Sequence, residues 1–178
     1  MTDFGPGHST TLEVDDVTGA IMTVDYSHHE IHEGSHFFYS GYETLASGGT
    51  ADIVFTVPAA TYAHFLMSIA GTDATTVDVY EGCSGVSGGT AGTAYNNNRN
   101  NSGTTTLTIL RNPTITAGTA IDGYKFGQTG LGVNPGSGGG ASREDEMILK
   151  LSTTYMWRIV SGADSNAISW RASWYEKS

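Results

Sequence analysis

Between Ala167 and Glu176 the chain reads AISWRASWYE. Ile168, Trp170, Ala172 and Trp174 fall on one side of an extended backbone, and Ser169, Arg171 and Ser173 on the other. Side chains of a strand alternate between two faces, so such a run needs an apolar surface to cover one face and water for the other. The same period returns in ADIVFTVP with Ile53, Phe55 and Val57, and in TTVDVYEG around Val77 and Val79. It returns again in TTLTILR with Leu107 and Ile109, and in TTYMWRIV with Tyr155, Trp157 and Ile159. Helices have little room, because 24 glycines and four prolines interrupt nearly every stretch long enough for one. YAHFLMSIAG is apolar on both faces and predicts a strand covered on both sides, with His64 as a hydrogen-bonded core or rim histidine. In SREDEMILKL, Ser142 and Asp145 could form a capping box. Adjacent Ile148 and Leu149 nevertheless favour a strand over Met147–Leu151, buried on both faces.

About eight strands separated by Gly-rich turns predict an all-β chain, a single jelly-roll-like β-sandwich over residues 21–178. Residues 1–20 are expected to form a flexible N-terminal arm. Flexible Gly-rich pieces are expected at 82–103 and 127–142, with the loops at 84–103 and 127–141 facing solvent or neighbours. SGGTA occurs at Ser47 and again at Ser87, but the flanking sequence does not repeat, so this is shared turn chemistry within one domain.

Charge is distributed unevenly. Residues 1–98 hold twelve Asp or Glu and no Lys or Arg, the first basic side chain being Arg99. All six histidines also lie in this half, at 8, 28, 29, 32, 36 and 64. With a net charge of −10 the chain repels phosphate, which argues against nucleic acid as a partner. A single cysteine, Cys83, excludes an intrachain disulfide framework. The polar start MTDFGPGHSTT lacks an apolar signal region, and no apolar run approaches the roughly 18 residues of a membrane span. A soluble protein made in a cytoplasm is expected.

HHEIHEGSHFF, residues 28–38, concentrates the chemistry-bearing side chains. His32-Glu33-Gly34-Ser35-His36 matches H-E-x-x-H, in which a helix converges two histidines on zinc and the glutamate acts as general base. Gly34 in the interior costs such a helix roughly 1 kcal/mol relative to Ala, and the aromatic surroundings favour strand. In an extended chain His28, Glu30, His32 and His36 share a face, with His32 and His36 about 13 Å apart, too far for one ion. A metal held by His32 and His36 is therefore the weaker alternative to a segment that binds no metal and no cofactor. No G-x-S-x-G elbow, P-loop or dinucleotide fingerprint occurs. The acidic groups Asp15-Asp16 and Glu144-Asp145-Glu146 read as solvated faces or turn caps.

Four stretches resemble the small β-sandwich decoration or head-fibre-like structural proteins of tailed-phage virions. They are TVDYSHHEIHEGSHFFYSGYETL (23–45), VDVYEGCSGVSGGTAGTAYNNNRNN (77–101), LTILRNPTITAGTAI (107–121) and ISWRASWYEK (168–177). The resemblance implies a non-enzymatic protein that cements or decorates the outer surface of the head shell, often as a trimer. Its partner would be the major capsid protein, and its place the capsid exterior of a virion assembled in a bacterial cytoplasm. Under that resemblance His28, His29, Glu30, His32, Glu33 and His36 are candidate assembly contacts, and Tyr95, Asn96, Asn97, Asn98 and Arg99 candidate loop contacts. The alternative is a carbohydrate-binding or adhesin module of a tail or head fibre. There Trp157, Trp170, Trp174 and the tyrosines would stack on a host-surface glycan, although Trp170 and Trp174 lie on the apolar face of a strand.

Overall fold

The computed structural model describes residues 17–19, 26–101, 103–127 and 145–177, with Tyr26 and Ser27 described by backbone alone. The arm expected at 1–20 lies outside the described residues except for 17–19, as do Ser142 and nearly all of the 127–142 loop. One helix, α1 (Tyr26–Glu33), precedes β1 (His36–Leu45), β2 (Thr50–Thr56), β3 (Tyr62–Gly71) and β4 (Thr75–Glu81). Shorter strands follow: β5 (Ser84–Ser87), β6 (Thr90–Ala91), β7 (Tyr95–Asn96), β8 (Thr108–Arg111) and β9 (Thr114–Thr116). The last four are β10 (Thr119–Phe126), β11 (Met147–Ile148), β12 (Thr154–Ser161) and β13 (Asn166–Lys177).

Every described strand pairing is antiparallel. One sheet runs β11-β3-β13-β1-β7, a second β10-β4-β12-β2-β8-β6, and β5 pairs with β9 in a small third sheet. The alternating residues of the sequence face inward between the two large sheets. Ile168, Trp170, Ala172 and Trp174 from β13 share one core with Ile53 and Phe55 from β2, Val77 and Val79 from β4, and Trp157 from β12. Its centre is aromatic: Phe55 meets Phe65 at 4.8 Å and Trp157 at 5.6 Å between ring centroids, and Phe65 stacks on Trp157 at 4.8 Å. Edge-to-face and offset contacts of this kind add to the burial of large apolar area. Outside the six-stranded sheet, Val54, Met156 and Cys83 form a second buried cluster with Tyr80, Leu110 and Ile115.

Three expectations are corrected. β3 buries one face completely, but the other, with His64, Leu66, Ser68 and Ala70, is only half-buried. The strand expected over Met147–Leu151 is two residues long and sits at a sheet edge, so Leu149 is buried while Ile148 is 61% exposed. The segment 82–103 is not an open loop: β5, β6 and β7 lie within it and pair with β9, β8 and β1. Positive-φ glycines at 82, 88 and 89 turn the chain before and after β5, Gly85 bends β5 itself, and these strands are each too short to show a period of two.

Register places the connections at two ends. Residues 46–49, 72–74 and 162–165 make the short turns at one end, where β1 passes to β2, β3 to β4 and β12 to β13. Asn166, fully buried there, accepts from Thr72 Oγ1 and Asp73 N through Oδ1. Its amide donates to Asp73 O, Ala74 O and Thr75 Oγ1. The opposite end holds the start of β1, the end of β13 and α1. We call it the base.

Candidate functional site

The base is built on the end of α1. Ser35 N donates to Glu30 O and Gly34 N to Ile31 O, both at 3.1 Å, while Gly34 takes φ +78. This pair of bonds with a left-handed glycine is the Schellman termination of a helix. The helix therefore stops at Glu33, and His36 is the first residue of β1. H-E-x-x-H is split between two elements, so its two histidines do not stand on one helix as the zinc pattern requires. The extended reading of residues 28–33 is corrected too, since they are helical. The signal was Gly34 itself, a glycine just past a helix end, which the sequence reading had placed inside one.

The asparagine-rich segment after β7 folds against this helix end. Asn96 Nδ2 donates to Gly34 O at 2.6 Å, Asn98 Nδ2 to His32 O at 3.1 Å and Asn101 Nδ2 to Glu33 O at 3.5 Å. Asn97 Nδ2 donates to His36 Nδ1 at 2.7 Å, and its backbone N–H to His36 O at 2.9 Å. The carbonyls at a helix C-terminus have no partner within the helix, and here side-chain amides from sixty-odd residues away supply partners for two of them, His32 O and Glu33 O, and for Gly34 O just beyond. Within the segment, Asn98 N donates to Asn96 Oδ1, Asn100 N to Asn98 Oδ1 and Gly103 N to Asn101 Oδ1. The two groups of candidate residues, 28–36 and 95–99, thus form one structure. Asn101 belongs to it as well and was not among the candidates.

Glu30 is the buried acid of the base. Lys177 Nζ lies 2.5 Å from its Oε1, and Ser35 Oγ donates to its Oε2. On the exposed side, His29 Nε2 is 3.4 Å from Glu33 Oε1. His29, Glu30 and Glu33 each bring a ligand atom within 4.8 Å of the others. A cation among them would compete with Lys177 for Glu30. His28 and His32, one turn apart, face each other, whereas His36 faces Asn97 and stacks on Tyr175.

Two rows of rings cross the outer face of the five-stranded sheet beside the helix. In the first, His64 stacks on Tyr175 at 4.4 Å, and both donate to Glu146 Oε1, at 2.6 and 3.2 Å. His64 is thus a rim histidine, and Glu146 is a bonded partner and not a solvated acid. In the second, the Arg171 guanidinium lies 4.3 Å over Phe38, Phe38 lies 5.9 Å from Tyr95, and Arg99 lies 5.3 Å over Tyr95. Alternating sequence showed Arg171 as outward-facing but not what it covers. Nearby, Glu81 accepts from Lys150 Nζ at 2.6 Å and from Tyr155 OH at 2.9 Å. Those bonds, from Lys150 first, hold the Glu81 carboxyl below the usual carboxylate range. Burial pushes the Tyr155 phenol up to about 12.

The three tryptophans are core residues, none more than 3% exposed, and offer no stacking surface. No helix among the described residues is long and apolar enough to cross a membrane. Comparison of the chain with protein-family models, curated proteins and solved structures found no match.

Proposed function

We propose that this chain is a non-enzymatic decoration protein of a phage head, docking on the major capsid protein through its base and assembling as a trimer. The carrying observation is that all five described histidines, the amide-capped helix and the Arg171–Phe38–Tyr95–Arg99 row gather at one end and the adjoining face. Arginine and tyrosine are among the side chains enriched where protein surfaces bind each other. Counted along the chain, the eight strands β1–β4 and β10–β13 run 1-8-3-6 in one sheet and 2-7-4-5 in the other. That order supports reading the sandwich as a jelly roll, an architecture of capsid and lectin domains alike. Sedimentation with heads assembled from the cognate major capsid protein tests the proposal. The protein is expected to pellet with the heads, and Arg171→Ala with Tyr95→Ala to weaken this by about tenfold or more. Heads that sediment without the wild-type protein overturn it, and native mass spectrometry reads the trimer.

A glycan-binding reading rests on a separate observation. Tyr42 and Tyr95 are 83% and 49% exposed on the outer face of the five-stranded sheet. Saturation transfer from their rings to a host-surface glycan would favour an adhesin, and its absence would leave the capsid reading alone.

A further inference from the structure

The exposed side of α1 carries a pair of side chains whose spacing neither the amide cap nor the docking proposal explains. His28 and His32 stand four residues apart, with their Nε2 atoms 3.0 Å apart and their rings edge to face at 4.7 Å. Both side chains are exposed, and the helix fixes their spacing. Imidazole nitrogens sit about 2.0–2.1 Å from a bound first-row metal. Two such nitrogens on one ion at a right angle are therefore about 3.0 Å apart, the spacing found here. We propose that His28 and His32 form a chelating site for a borderline divalent transition metal, Cu(II) or Ni(II) ahead of Zn(II). Imidazole suits all three ions, a right-angled pair of nitrogens suits the tetragonal geometry of the first two, and copper binds such donors most tightly.

The site differs from the zinc-protease pattern in its residues, since it uses His28 with His32 and leaves His36 to Asn97. It also differs from the neighbouring group His29, Glu30 and Glu33. There an ion must take Glu30 from Lys177 and Ser35, whereas at His28 and His32 it replaces the exposed hydrogen bond between the two rings. With two ligands from the chain, the other coordination positions fall to water or to a side chain of a docked protein. The inference does not depend on the capsid reading.

Isothermal titration of the untagged full chain with CuCl2, NiCl2 and ZnCl2 tests it. One Cu(II) or Ni(II) per chain is expected, with His28→Ala and His32→Ala each weakening binding by about tenfold or more. His29→Ala and His36→Ala are expected to bind as the wild type does. Cu(II) EPR of the wild type should show coupling to two equivalent imidazole nitrogens, lost in either variant. Both residues are exposed, and an unchanged circular dichroism spectrum verifies the fold of each variant. Undiminished binding by the His28→Ala/His32→Ala double variant overturns the site. So does loss on His29→Ala alone, which would move the ion to the acidic group, and so does a wild-type protein that binds none of the three ions.

Discussion

The two ends of the sandwich satisfy their backbone in opposite ways. At the turn end three connections are turns of three or four residues. There the neutral side chain of Asn166 supplies acceptor and donors from full burial, beside the carboxylates of Asp73 and Asp164, which accept from Ala74 N and Ser47 N. At the base 57–61 and 149–153 are five-residue connections, and β4 reaches β10 through β5–β9. There a helix terminus is closed by several asparagines on its surface side, surrounded by histidines and ion pairs. A buried, fully bonded amide fixes geometry but offers a partner nothing. The base adds exposed bonds to the buried ones of Glu30 and Asn96, and leaves rings and charges where another molecule can reach them. On this contrast we place stability at one end and recognition at the other.

Asn166→Ala should break the contrast most severely. It strips the acceptor from Asp73 N and the amide from Thr75 Oγ1, and unsatisfied buried groups each cost about 1–3 kcal/mol. A loss of about 3 kcal/mol in urea unfolding is expected. A loss under about 1 kcal/mol would show that the turns hold without their amide. Gly34→Ala comes next. A left-handed conformation costs a residue with a side chain about 1–2 kcal/mol, and the new Cβ would lie 2.1 Å from Asn101 Nδ2. Asn101 must swing away, so amide exchange in α1 should quicken while that in β13 stays slow. Asn98→Ala, which removes the exposed bond to His32 O and the exposed acceptor of Asn100 N, should cost about 1 kcal/mol. If Asn98→Ala proves as damaging as Asn166→Ala, the base is as rigid as the turn end and the division of labour fails.

The two ends were also unequally legible. Strand faces from Ile53 to Trp174 could be read because burial imposes a period of two over five or more residues, and the core keeps that register. Asn166 and the closure of the turns left no pattern, since one asparagine among many Gly, Ser and Thr residues looks like turn chemistry. At the base, His28–His36 stands out in composition, yet the helix does not, because Gly34 fits a helix-breaking interior residue as well as a terminator. Asn96, Asn98 and Asn101 read as loop because their acceptors lie more than sixty residues away in the chain. Glu146 was missed for the same reason, its partners His64 and Tyr175 being distant in sequence.

The gentlest probe is pH, because the base titrates where the amide of Asn166 cannot. Glu81 has its carboxyl held low, chiefly by the hydrogen bond from Lys150. Its contribution to stability is complete above the usual carboxylate range and is lost as pH falls through the depressed value. Tyr155 runs the other way. Its phenol is raised from 10.0 to about 12, with burial the largest cause, so its contribution is complete below pH 10 and is lost as pH rises toward 12. Stability against pH should therefore fall off on both sides, and Lys150→Met separates the two. Without the ammonium the acid fall should shrink, while the alkaline fall persists because burial of the ring, and not Lys150, sets it. Denaturant midpoints measured from pH 3 to pH 11 would show this. An acid limb unchanged by Lys150→Met would mean that Tyr155 alone holds Glu81, making this polar cluster a buried-hydroxyl device closer in kind to Asn166 than to the exposed groups around α1.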